Sequence, residues 1–145
     1  MPGGFEPQTD VRILSIPIDD CLEQSPLMNN KTLLVVPDFA NSRYELLSVG
    51  FVAQVLPIDG SNDLFLDIEF VDDSASDAVT TIRTDFNMAA AGSTPAVYNK
   101  VWSGSQIMDA GDAINAEFDD TNVTTPDTAS EGAALIVEYR VLKRS

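Results

Sequence analysis

Hydrophobic residues recur at every second position along most of this chain, and that period of two constrains the fold more than any other feature. The clearest case is Leu64, Leu66, Ile68 and Phe70 on one side, with Asp67 and Glu69 on the other. Such a segment is a strand with one face in a core and the other in water. It follows Asp59-Gly60-Ser61-Asn62, where Asp and Gly tolerate the positive φ of a tight turn. Val11, Ile13, Ser15 and Pro17 alternate with Arg12, Leu14, Ile16 and Ile18, and Asp19-Asp20 ends that run. Further strands are expected at Lys31–Val36, closed by Pro37-Asp38, and over Arg43–Ile58, where Gly50 marks a bulge that splits the segment in two.

The second half of the chain continues the pattern after one interruption. Ser76 has the chemistry of a helix cap, and Val79, Ile82 and Phe86 follow at helical spacing. Residues 72–87 are therefore expected to form a short helix or irregular excursion, although Val79-Thr80-Thr81-Ile82 is β-branched and favours a strand. Strand signals resume at Val97–Trp102, Gln106–Met108 and Ala113–Phe118. A polar stretch, Asp119–Gly132, leads to a last strand in which Leu135, Val137, Tyr139 and Val141 alternate with Glu138 and Arg140. About eight strands with regularly spaced turns imply one antiparallel β-sandwich, jelly-roll-like, over residues 11–145. Residues 1–10 carry two prolines and two glycines and read as an extended N-terminal arm. A chain of 145 residues buries about two-thirds of its surface, so such a sandwich needs no metal or disulfide staple.

Charge and composition then exclude whole classes of function. The chain holds 8 Lys and Arg against 23 Asp and Glu, a net charge of −15. That field is wrong for nucleic-acid phosphates and for an anionic membrane, so neither is expected as a partner. No histidine is present, which removes Ser-His-Asp and Cys-His catalysis and any His-ligated metal. Cys21 is the single cysteine and has no basic neighbour; it reads as buried and inert. No apolar run approaches the roughly 20 residues of a membrane helix, and the first residues lack the basic and apolar regions of a signal peptide. The sequons Asn30-Lys31-Thr32 and Asn122-Val123-Thr124 are accordingly read as chance in a protein made in a reducing cytoplasm.

A few residues remain as candidates for binding. Asp73, Asp77, Asp109 and Asp112 offer the oxygens a calcium ion would need; the run Asp72–Asp77 lacks the glycine and distal glutamate of an EF-hand loop, and Asp109 and Asp112 flank Gly111 in a turn. Aspartates also end strands because they hydrogen-bond within turns, so no cofactor is assigned. A carboxylate pair of a glycosidase is conceivable among so many acids, yet nothing in the spacing singles one out. Trp102 and Tyr98 sit beside a loop and are candidates for stacking on a sugar, Trp102 also for contact with a protein, while Phe51, Phe65, Phe70, Phe118 and Tyr139 read as core. Phe5 and Pro7 in the arm, and Arg140, Lys143 and Arg144 where positive charge gathers, are candidate partner contacts.

Four stretches carry a resemblance: Tyr44-Glu-Leu-Leu-Ser-Val-Gly-Phe51, Asp63-Leu-Phe-Leu-Asp-Ile-Glu69, Ile107-Met-Asp-Ala-Gly-Asp-Ala-Ile114 and Ala134-Leu-Ile-Val-Glu-Tyr-Arg140. Together they resemble small β-sandwich capsid decoration (cement) proteins of tailed bacteriophages and related head-fibre domains. The resemblance implies a non-enzymatic virion protein on the capsid exterior, often a homotrimer, seated on a lattice of major capsid protein. The alternative is a carbohydrate- or receptor-binding module of a phage tail or fibre.

Overall fold

The first strand pairs with the last, the second with the seventh, the third with the sixth and the fourth with the fifth. The chain is thus one long antiparallel hairpin rolled up on itself. The computed structural model describes residues 10–22, 30–38, 43–56, 64–90, 98–119 and 130–142. Eight strands are defined there: β1 (Val11–Pro17), β2 (Asn30–Val35), β3 (Arg43–Val52), β4 (Phe65–Asp72), β5 (Ala78–Asn87), β6 (Asn99–Asp109), β7 (Ala113–Asp119) and β8 (Ala134–Leu142). A single helical turn, α1 (Asp19–Leu22), follows β1.

Two four-stranded antiparallel sheets result. Sheet A has the order β1-β8-β3-β6 and sheet B the order β2-β7-β4-β5. That alternation of strands between facing sheets is the connectivity of a jelly roll. The expectation of an all-β sandwich of about eight strands is met. The arm at 1–9 and the Asp59–Asn62 turn lie outside the described residues.

Alternation explains the core. Leu46, Val49 and Phe51 of β3 and Leu135, Val137 and Tyr139 of β8 point inward from sheet A. Leu66 and Ile68 of β4 meet them from sheet B, with Ile114, Ala116 and Phe118 of β7. α1 adds Cys21 and Leu22, both fully buried, and so closes one end. Fully burying one such aliphatic side chain is worth about 1.5–3 kcal/mol.

Three expectations need correction. Residues 72–87 do not form a helix. Asp72 accepts hydrogen bonds from the Ser74 N–H and hydroxyl, a 3-10 turn spans Asp73–Ala75, and β5 runs from Ala78 to Asn87 against β4. Ser76 does not start a helix but C-caps that turn: Ser76 and Asp77 both take φ +60, the left-handed geometry that reverses the chain. The β-branched run prevailed because β4 offered it a ladder, which an isolated helical spacing cannot match. Gly50 does mark a bulge, since the register against β6 slips between Val49 and Gly50, but it does not split the segment, because β3 continues through it to Val52. Finally, the two strands expected at 97–102 and 106–108 are one strand, β6, which passes through Ser103-Gly104-Ser105.

Candidate functional site

Among the described residues, outward-facing positions of sheet A line an open groove of about 500 Å³. Its floor is apolar: Ile13 of β1, Ile136 of β8 and Leu47, which sits where the β3 register slips against both neighbours. Its polar groups are Ser48, Ser103, Lys100 and Glu138. The Ser48 hydroxyl donates to Glu138 Oε1 at 3.0 Å, which orients that carboxylate along the groove. The wall is Tyr98, 48% exposed.

Gly50 is the reason Tyr98 stands where it does. A Cβ at Gly50 would overlap Cε2, Cζ and the hydroxyl oxygen of the tyrosine, so only glycine lets the ring lie on the β3 backbone. An aromatic ring seated on a strand loses little further freedom when a ligand stacks on it. Of the two aromatic candidates, Tyr98 is the more exposed. Trp102 pairs with Val49, is half-buried against the core and lies over Gly104.

Charge divides between the two sheets. The strands of sheet A carry Arg12, Arg43, Lys100 and Arg140 against Glu45, Asp109 and Glu138. Several of these neutralise one another: Arg43 Nε lies 2.8 Å from Asp109, Arg140 Nε lies 3.2 Å from Glu45, and the Ser105 hydroxyl donates to Glu45. Arg140 is therefore engaged within its own sheet. Sheet B is acidic. Asp67 stands directly across from Glu117, and Glu69 is the next outward residue of β4. Burial, then the Glu117 charge and the hydrogen bond with Glu117, then Asp67, raise the Glu69 carboxyl above the usual range.

The calcium candidates are dispersed into structural roles. Asp112 is buried, with Oδ1 accepting the Asp73 N–H at 2.9 Å and Oδ2 accepting the Asp109 N–H at 2.8 Å. It ties the β6–β7 turn to the β4–β5 turn. Asp109 pairs with Arg43, and Asp77 occupies the left-handed reversal. Among the described residues no group of three or more Asp, Glu, Cys or His side chains is placed to hold a metal. Phe5, Pro7, Lys143 and Arg144 lie outside the described residues. Cys21 is buried beside Asp20, and burial with the Asp20 charge pushes its thiol up to about 11, so it is no nucleophile at neutral pH.

The sequence reading had not assembled this groove. Ile13, Ser48 and the pair Lys100 and Ser103 come from three strands, β1, β3 and β6, and only pairing through β8 and β3 brings them together. No protein-family model matches the sequence, and no curated protein matches it.

Proposed function

We propose that this chain is a non-enzymatic assembly protein that decorates and stabilises the exterior of a phage capsid, docking on major capsid protein through the outer face of sheet A. The observation that carries the proposal is the division of charge. In a chain of net charge −15, sheet A is the side whose charges nearly cancel and whose outer face offers an apolar-floored groove. Acidic sheet B, turned to solvent, would keep decorated particles apart by repulsion. Many copies on one shell would hold firmly even if each contact were weak. The test is co-sedimentation with assembled shells of phage major capsid protein. Lys100→Glu with Ile136→Lys should abolish pelleting. Wild-type protein that stays in the supernatant refutes the docking.

Tyr98 favours a second function, binding of a neutral carbohydrate. Sugars present a C–H face to an aromatic ring and hydroxyls to groups such as Lys100, Ser103 and Glu138. Glycan binding that is lost on Tyr98→Ala and kept on Trp102→Phe would select this function over capsid docking.

A further inference from the structure

We infer that β1 is the strand through which two copies of this chain pair, edge to edge across a two-fold axis, joining their A sheets into one continuous sheet. A jelly roll of two four-stranded sheets has four edge strands, here β1, β6, β2 and β5. An open edge presents unpaired N–H and C=O groups to any other strand, and proteins commonly spoil such edges with bulges, charges or prolines.

Three of the four edges are spoiled. β2 slips register between Thr32 and Leu34 against β7. β6 slips twice against β3, between the partners of Leu46 and Ser48 and again between those of Val49 and Gly50. β5 slips twice against β4, and its Asp85 takes φ +52 with its N–H bound to Asp67. β1 alone pairs without a break, from Val11 opposite Arg140 to Pro17 opposite Ala134. Its ladder is regular enough to template another strand.

The side chains of β1 fit a second copy. Val11 and Ile13 are 45% and 65% exposed on the outer face. Pairing of β1 with β1 near Ile13 would set these aliphatic residues side by side, where cross-strand apolar pairs stabilise a sheet. An isologous contact also brings each charge near its own copy, so in so acidic a chain the seam must be poor in carboxylates. β1 contains Arg12 and no acid, whereas β5 contains Asp85 and follows Asp77. Pro17, with no N–H, ends the pairing at a defined length. A seam of one short strand from each copy is a small interface, so the dimer is weak and concentration-dependent. Two grooves would then share one broad face.

Native mass between micromolar and millimolar chain concentration tests the inference. The expected result is a rise from one chain to two, promoted by added salt, because screening weakens the repulsion between two chains of charge −15. Ile13→Lys, at a site already exposed in the monomer, should weaken the dimer at least tenfold while dilute protein keeps its melting midpoint. Ile13→Cys should give a disulfide-linked dimer on mild oxidation, since the native cysteine is buried. Wild-type protein that stays at one chain, forms three, or pairs as tightly after Ile13→Lys overturns the inference. A dimer that fails to pellet with shells overturns capsid docking and leaves the β1 seam standing; shell binding by a strict monomer does the reverse.

Discussion

Replacing Asp19 by alanine should be among the most damaging single changes outside the apolar core. Its Oδ1 accepts the Ser130 hydroxyl at 2.7 Å and the Ala133 N–H at 3.0 Å, and its Oδ2 accepts the Gly132 N–H at 2.9 Å. One carboxylate at the start of α1 thus holds the entry to β8, more than a hundred residues away in sequence. Ser130 and Ala133 are 3% and 2% exposed, so water cannot easily replace the lost acceptor, while Gly132 is exposed and re-solvates. A hydrogen bond to a charged group contributes about 1.5–3 kcal/mol, and an orphaned buried donor costs about 1–3 kcal/mol. Two orphaned donors therefore imply a loss of about 3–4 kcal/mol from a total typically of about 5–15 kcal/mol. At about 2–4 °C per kcal/mol, the melting midpoint should fall by about 10 °C. Urea unfolding followed by the fluorescence of Trp102, the one tryptophan, measures this directly. Asp19→Asn, which keeps one acceptor oxygen, should lose about half as much. A loss below about 1 kcal/mol at unchanged m-value would refute the reasoning, because it would mean the buried donors find other partners.

Asp112→Ala should cost about 1–3 kcal/mol, two net hydrogen bonds, because Asp73 and Asp109 are exposed and their N–H groups re-solvate, and calcium or a chelator should leave the melting midpoint of the wild type unchanged. A calcium-dependent rise in midpoint would contradict the structural role. Glu69 titrates higher in the folded chain than its ordinary 4.5, so the folded state binds more protons in that window and stability falls as pH rises through it. Glu69→Gln should flatten that fall and raise the neutral-pH midpoint, and identical pH–midpoint curves would refute the repulsion with Glu117 and Asp67. Gly50→Ala should displace the Tyr98 ring and cost about 1–3 kcal/mol by overpacking, visible as a shifted tyrosine spectrum and a lower urea midpoint. Cys21 should resist thiol reagents in the native state at neutral pH and react only on unfolding.

Strands were legible because their information is local. A period of two along Leu64–Phe70 or Leu135–Val141 already states which residues face a core, and the fold places those residues inside or against it. The absence of histidine, the net charge of −15 and the single cysteine are likewise plain in the sequence before any fold is known. Local signals failed where two were present at once. Residues 76–87 carried both a helical spacing and a β-branched run, and only the presence of β4 as a partner decided for the strand.

The groove, the β1 seam and the aspartate ties belong to the tertiary structure. Strand order is long-range: nothing near Ile13 in sequence announces that Ile136 and Glu138 will lie beside it, or that Tyr98 will rest on Gly50. Asp19 and Asp112 read as ordinary strand-ending aspartates until the roll of the hairpin brings buried N–H groups to their oxygens. The sequence by itself determined that this chain makes alternating strands and a heavily acidic surface. Which edge stayed unbroken, and which sheet kept its charges balanced, was decided by register and pairing, because hydrogen-bond ladders join residues by position in space and not by position in the chain.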